Sequence, residues 1–424
     1  MNETRWLSWR LVLGLAVVCV LVATQQLAGC PDDKGSGIPD LREWQGEVQR
    51  GRIIPFSMRL GESPAEYYLV STKTRSGGEW HETNVKYKVK KQPLTVPLDS
   101  RYDANRSISR LTLTLTASEA LKEKINHIEI LDLSLPASEP GDTVVLRGVT
   151  GGFADSTFPP FSLRRWEKRL SVGESFVLDS DRTGRSSNSH LPLLLYAERE
   201  GGVWLGPEWS GSWDIKAKRT AQGSRLLIGV PTFDFTMKAH EVIELPTAAF
   251  GVYSGTPDEG CNSVRRAILR HYLPAVSGKK PFPLVVFQGL GGLPNYYDET
   301  TMYREAERAA ALGAEAFILD AQRYDTPKHR RWWDKIGHWI PSPERFPTGV
   351  TRFADFVHSK GMRFGLWLEP RMVESLDEYR QNKDLFLTAD PKAADKTSLL
   401  NLGKEEAQNW SFAQIEHLAP LPKV

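Results

Sequence analysis

The stretch Met362–Val373, MRFGLWLEPRMV, carries a nearly apolar run that stops on a carboxylate, Glu369, with Pro370 locking the chain immediately after it. Upstream, Ala314–Asp320, AEAFILD, repeats the pattern and ends in Asp320. Short apolar runs between helical patterns read as strands of a parallel sheet, buried on both faces. Two helical patterns flank the second run. Asp298–Leu312 has Asp298 placed to cap it and Gly313 to stop it, and Val350–Lys360 sets Val350, Phe353, Ala354 and Val357 on one face before Gly361. With Pro283–Phe287, PLVVF, in front, the order is strand, helix, strand, helix, strand. A (β/α)8 barrel and an open doubly wound sheet both fit. In either, ligands meet the carboxyl ends of the strands, where Gln288, Asp320 and Glu369 fall.

Working outward, Gly260–Tyr272 has Val264, Ile268 and Tyr272 at helical spacing and reads as a connector. Before it the period is two. Leu111–Thr116, LTLTLT, alternates cleanly; His127–Pro136 alternates at Ile128 and Ile130, then changes phase to Leu131, Leu133 and Leu135, as a β-bulge would produce. Further short runs lie at Thr143–Leu146, Pro192–Ala197, Val203–Leu205, Leu226–Val230 and Val242–Leu245. Many short strands without amphipathic helices predict a large antiparallel β-sandwich.

The chain has 424 residues, 40% hydrophobic and 25% charged, with a formal net charge of +2, too small for a nucleic-acid footprint. Arg5 and Arg10 precede the apolar run Leu11–Thr24, which is shorter than the roughly 20 residues that span a bilayer. A basic flank, an apolar run and small residues after it predict an export signal. Leu27-Ala28-Gly29-Cys30 resembles a bacterial lipobox, which makes Cys30 the expected lipidation site and mature N-terminus, anchored to a membrane. Of three cysteines, Cys19 leaves with the signal and Cys30 is acylated, so Cys261 has no partner. The expected organisation is a signal peptide (1–29), a tether (30–42), a β-domain (43–255), a helical connector (256–281) and an α/β domain (282–424).

A single acid at a strand end is often a helix cap or a solvated loop residue. Two in adjacent units, beside Trp367 and a long aromatic loop, point to a polar site, because burying unpaired carboxylates is costly. The loop Ala321–Thr348 holds Tyr324, Trp332, Trp333, Trp339 and Phe346. Aromatic faces beside hydrogen-bonding acids suit a sugar, with its apolar C–H faces and polar edges, whereas Trp332 and Trp333 read rather as anchors of the loop. Lys328–Arg331 reads as a solvated basic face. Gly289-Leu-Gly-Gly292 lacks the Lys-Ser/Thr of a phosphate loop. His329, His338 and His358 have no metal-ligand spacing, so no metal or cofactor is expected.

These residues resemble a known family. FILDAQRYD (Phe317–Asp325), GHWIPSPERFPTGV (Gly337–Val350), KGMRFGLWLEPRMV (Lys360–Val373) and LLNLGKEEAQNW (Leu399–Trp410) are similar, in order and spacing, to the barrel of family 36 glycoside hydrolases, the α-galactosidase or melibiase-like group. RTGRSSNSHLPLLLYA (Arg182–Ala197) and WSGSW (Trp209–Trp213) resemble that family's β-supersandwich. The resemblance implies a supersandwich followed by the first units of a (β/α)8 barrel, and retaining hydrolysis of α-galactosides by two carboxyl groups about 5–5.5 Å apart. It makes Asp320 a partner of galactose hydroxyls and Trp339 a wall of the sugar subsite, with Trp367 and Glu369 supporting at the same rim. Ala321-Gln322-Arg323 stands where the family has Asp-Gly-Trp or Ala-Gly-Trp, and His338 replaces a common Asp before Trp339. The family's nucleophile and acid/base follow on later strands, so no catalytic carboxyl is assigned here and the barrel is expected to be incomplete. A whole barrel takes about 250 residues. The expected partners are an α-galactoside and a membrane, with no nucleic acid; oligomerisation is left open. The rival readings are a non-catalytic carbohydrate-binding protein or degenerate enzyme remnant, and a separate chain that supplies further strands.

Overall fold

The structure, a computed structural model, describes residues 41–50, 52–77, 79–103, 108–136, 144–149, 165–180, 186–187, 189–231, 235–275, 278, 283–288, 298–320, 339–373, 381–387 and 398–416. The chain divides into two compact units, Met1–Pro274 and Ala275–Val424.

The first unit opens with helix α1 (Leu41–Gln49). Strands follow: β1 (Ser57–Leu60), β2 (Ser63–Pro64), β3 (Tyr67–Gly77), β4 (Trp80–Val89), β5 (Leu94–Asp103), β6 (Ser109–Ala117), β7 (Ile125–Pro136) and β8 (Val144–Val149). After these come β9 (Arg165–Leu170), β10 (Ser175–Asp179), β11 (Leu194–Ala197), β12 (Gly201–Glu208), β13 (Asp214–Thr220), β14 (Gly223–Val230), β15 (Val242–Glu244) and β16 (Thr247–Ser254). They form two antiparallel sheets. One has the order β10-β13-β14-β7-β1-β2; the other runs β3-β4-β5-β6-β16-β12-β11-β8-β9, with β15 also on β6.

Alternation dictates the layering. Every second residue of β6 is buried, Ser109 through Ala117, and Leu111, Leu113 and Leu115 join Val96, Val203 and Phe250 in one core with Ile128, Ile215, Leu226 and Ile228 of the other sheet. The two sheets therefore pack face to face. The expected phase change in β7 is a bulge: Leu131 pairs with Ile228 and Glu129 with Gly229, leaving Ile130 as the extra residue. Both Ile130 and Leu131 reach the core. Helix α1 departs from the expected all-strand reading. Its Trp44 and Val48, four residues apart, are buried, and Trp44 meets the Phe250 ring edge-on at 5.3 Å.

Helix α2 (Pro257–Ala267) packs on this unit through Gly260, Ser263, Val264 and Ala267, and runs into a π-helical turn, Ile268–Tyr272. Of the helically spaced Val264, Ile268 and Tyr272, Val264 is buried. The wider π turn breaks the 3.6-residue period, leaving Ile268 and Tyr272 exposed.

In the second unit, β17 (Val286–Gln288), α3 (Glu299–Ala311), β18 (Ala316–Leu319), α4 (Val350–Ser359) and β19 (Arg363–Leu366) alternate as expected. The three strands form a parallel sheet with β18 in the middle. Asp298 caps α3, its side chain accepting from the Thr301 backbone N–H at 2.8 Å. Gly313 and Gly361, after α3 and α4, take left-handed backbone angles of 83° and 81°. The buried face of α4 is Val350, Phe353, Ala354 and Val357. Burial on both faces holds for β18; the edge strand β17 leaves Val286 exposed. A short antiparallel pair, β20 (Met372–Val373) with β21 (Ser398–Leu399), and helix α5 (Glu405–Glu416) complete the described part.

Candidate functional site

Register fixes the rim of the parallel sheet. Gln288 pairs with Ile318, and Leu319 pairs with Leu366, so β17, β18 and β19 end side by side. Asp320 is the first residue beyond β18, and the Trp367 backbone N–H still donates to Leu319 O at 2.9 Å. The strand pairing thus delivers Gln288, Asp320 and Trp367 to adjacent positions at one end of the sheet. Glu369 follows two residues after Trp367 in the chain.

Asp320 is 2% exposed. The Gln288 side-chain amide donates to its Oδ2. A carboxylate this buried needs such donors, since an unpaired one is strongly disfavoured. Gln288 itself is exposed. Glu369 Oε1 accepts from Arg371 Nε at 2.8 Å, and Glu369 stays partly open at 20% side-chain exposure. The segment after Glu369 is pinned from two sides: Ser411 Oγ of α5 donates to Pro370 O at 2.7 Å, and the Leu400 N–H donates to Arg371 O at 2.9 Å. Val373, Phe386, Leu400 and Ala407 pack beneath it as a small core.

Trp339 is 1% exposed and stands edge-on to Trp367, ring centroids 6.1 Å apart. Its φ of 57° lies in the left-handed region, unusual for a bulky residue. Trp339 therefore backs the half-buried Trp367, which is the ring with an open surface. Phe346 belongs to the core, where its ring meets Phe353 at 5.8 Å. Sequence reading placed Asp320, Trp339, Trp367 and Glu369 at this rim. It did not identify the Gln288 amide as a partner of Asp320; the signal was the polar residue closing an otherwise apolar strand. Cys30, the glycine run 289–292 and the loop residues Tyr324, Lys328–Arg331, Trp332 and Trp333 lie outside the described residues. Among the described residues, no group of three or more His, Cys, Asp or Glu side chains is placed to hold a metal ion.

Comparison with known proteins points the same way. Residues 258–420 match the Melibiase family model. The curated proteins this chain resembles are named as α-galactosidases. The chain is 29% identical over 329 residues to the probable α-galactosidase G of Emericella nidulans, covering 72% of this chain and 44% of that one. Among solved structures, the galactosidase domain of the α-galactosidase-sucrose kinase AgaSK superimposes with a TM-score of 0.71 at 17% identity, over 88% of this chain and 54% of that chain. The α-galactosidase AgaA from Geobacillus stearothermophilus in complex with raffinose gives a TM-score of 0.70 at 16% identity, over 88% of this chain and 54% of that chain. At such identity these structures share the fold alone. The chain spans less than half the length of the curated relatives it matches.

Proposed function

We propose that the protein recognises terminal α-galactosides of oligosaccharides or polysaccharides at the rim formed by Asp320, Trp367 and Glu369, as part of a retaining glycoside hydrolase. Its three parallel strands are the first units of a (β/α)8 barrel. The observation that carries this reading is the buried carboxylate of Asp320 at the end of the central parallel strand, oriented by Gln288 beside the Trp339–Trp367 pair. A carboxylate in a fixed orientation accepts hydrogen bonds from sugar hydroxyls, and an indole face covers the C–H side of the ring. Arg371 holds Glu369 as an acceptor at the neighbouring strand. No residue of this chain is assigned as nucleophile or acid/base. Matched relatives are named as α-galactosidases, and one similar structure holds raffinose.

The protein is also proposed to be exported and anchored through an acylated Cys30, facing the extracytoplasmic side of a bacterial membrane. That proposal rests on the sequence LAGC after the apolar run.

The test uses the full chain, with raffinose titration calorimetry beside turnover of an aryl α-galactoside. Saturable raffinose binding that is lost in Asp320→Ala supports the site. Binding without turnover favours a carbohydrate-binding role over hydrolysis, and absence of both rejects the reading.

A further inference from the structure

We propose that the outer face of the β3–β4 hairpin, in the first unit, docks on an anionic phospholipid surface. The face is separate from the sugar site, and it rests on the anchoring through Cys30 only for the choice of a membrane as partner.

Strand β4 carries a comb of lysines. In Lys86-Tyr87-Lys88-Val89-Lys90-Lys91, Tyr87 and Val89 are buried in the sandwich core, so the exposed Lys86 and Lys88 stand on the opposite face. Lys90 and Lys91 extend the series into the turn, where Lys91 has a φ of 59°. Register adds the neighbours. Tyr68 pairs with Lys88 and Ser71 with Lys86, and Lys73 and Arg75 follow on the same face of β3. On the other flank, Thr95 and Pro97 of β5 stand opposite Lys88 and Lys86 and bring no charge.

The acids near this face do not neutralise it. Glu66 is engaged by Lys90 at 3.0 Å, and Asp99 accepts from the Asn84 amide at 2.6 Å. Glu82 lies between Arg75 and Arg101 in the pairing register. Among the described residues, Lys73, Arg75, Lys86 and Lys88 form no ion pair, and all four are exposed. Lysines often line a free sheet edge, where they discourage strand pairing. That does not account for the comb, because β4 lies between β3 and β5 and has no open edge.

Beside the cations lies an apolar tip. In the edge strand β3, Tyr68, Leu69 and Val70 are 45%, 39% and 50% exposed. A β-bulge contributes to it: Leu69 pairs with Tyr87 and Ser71 with Lys86, leaving Val70 as the extra residue. This combination selects the partner. Lysines are drawn to lipid phosphates, while aliphatic side chains and a tyrosine ring gain by entering the boundary between headgroups and acyl chains. An acidic polysaccharide would meet the cations equally well but has no acyl layer for Leu69 and Val70 to enter.

The chain path puts this hairpin within reach of a lipid on Cys30. Gln49, which ends α1, donates from its side-chain amide to Thr83 Oγ1 at 2.8 Å, and its carbonyl accepts from Thr72 Oγ1 at 2.9 Å. The helix therefore ends against β3 and β4. From Cys30 to Leu41 the chain spans at most about 40 Å, and the helix itself adds about 14 Å. Attraction through a few lysines is reversible and salt-sensitive, so it orients an anchored protein rather than holding it.

The test sediments full-length protein with phosphatidylcholine vesicles, with and without phosphatidylglycerol, and reads the ratio of the two partition coefficients. An acyl group or the apolar run Leu11–Thr24 binds both kinds of vesicle, so the ratio isolates the cations. Each lysine near the surface contributes about fivefold, so Lys86→Gln with Lys88→Gln should lower the ratio roughly 25-fold. Val70→Ser should weaken binding to the anionic vesicles about fivefold. Cys30→Ser should leave the ratio unchanged, so a failed anchor and a failed docking face give different results. Equal partitioning of the wild type onto both vesicles at low salt overturns the proposal without any variant. So does an equal drop in Lys168→Gln with Lys218→Gln, which removes the same charge from exposed sites elsewhere on the sandwich. Lysine-dependent binding to soluble polygalacturonate without a preference for anionic vesicles would assign the comb to an acidic polysaccharide instead.

Discussion

Gln288 and Asp320 stand at the ends of adjacent parallel strands, and the Gln288 side-chain amide nitrogen donates to Asp320 Oδ2. This bond fixes which way a nearly inaccessible carboxylate points. A charge-assisted hydrogen bond contributes about 1.5–3 kcal/mol, so Asp320→Ala should weaken raffinose binding by roughly 10- to 100-fold. Gln288→Ala leaves the charge but releases its orientation, and should cost less, about 3- to 10-fold. Titration calorimetry of both variants reads this, and a Gln288→Ala protein with wild-type affinity would show that Asp320 needs no such guide.

The second unit is held by a ring cluster centred on Phe353. Its ring meets Tyr303 at 5.1 Å, Phe317 at 5.6 Å, Phe346 at 5.8 Å and Phe364 at 5.9 Å, joining α3, β18, β19 and the segment before α4. Deleting a buried aromatic from such a site typically costs about 3–5 kcal/mol. Phe353→Ala should therefore lower the denaturant midpoint of this unit sharply. Val357→Ala, on the same face with fewer atoms removed, should lower it less.

Much of this was legible in the sequence, for identifiable reasons. The spacing of Val350, Phe353, Ala354 and Val357 revealed the buried face of α4 because a long helix repeats its signal several times. The phase change between Ile130 and Leu131 revealed a bulge because both sides of β7 carry strict alternation. Short α1 escaped because Trp44 and Val48 supply only one helical repeat, and the π turn at Ile268–Tyr272 escaped because it shifts the period only locally. The Gln288–Asp320 bond depends on strand register, which is a long-range property that neither residue's neighbours encode. Trp339 was placed at the rim, but its burial against Trp367 and its left-handed backbone angle are tertiary features that no local residue pattern announces.

Gly202 shows how closely the first unit is packed. A Cβ there would fall 2.0 Å from the Tyr196 carbonyl oxygen and 2.4 Å from the Tyr253 hydroxyl. The carbonyl belongs to the paired strand β11 and cannot retreat without breaking the ladder, in which Gly202 pairs with Ala197. Gly202→Ala should thus destabilise the sandwich by at least about 1–3 kcal/mol, as overpacking does. Gly313→Ala makes the contrast: nothing lies within 4 Å of its added Cβ, so only the cost of its positive φ remains, about 1 kcal/mol. Chemical denaturation of the two variants should rank them in that order.

Asp298 offers a smaller, local measurement. Its carboxylate accepts from the Thr301 N–H at 2.8 Å and so satisfies one of the unpaired donors that begin α3. Replacing the cap by alanine costs about 0.5–2 kcal/mol, and Asp298→Asn, which retains an acceptor, should recover most of it. Hydrogen exchange across Glu299–Met302 would register the loss as faster exchange in the alanine variant alone.

The membrane anchor is tested at a single atom. If Cys30 is acylated after cleavage at Gly29, its sulfur carries the lipid, and several acyl chains give stable attachment where one is marginal. Cys30→Ser removes that sulfur and leaves the apolar run Leu11–Thr24 untouched, so export by the ordinary route can continue. In a bacterial host the wild-type protein should fractionate with membranes and shift in intact mass by its acyl groups, whereas the serine variant should appear in the soluble exported fraction. An unshifted mass for membrane-bound wild type would assign attachment to the uncleaved N-terminal run. A serine variant that stays with the membrane would show that another surface holds it there.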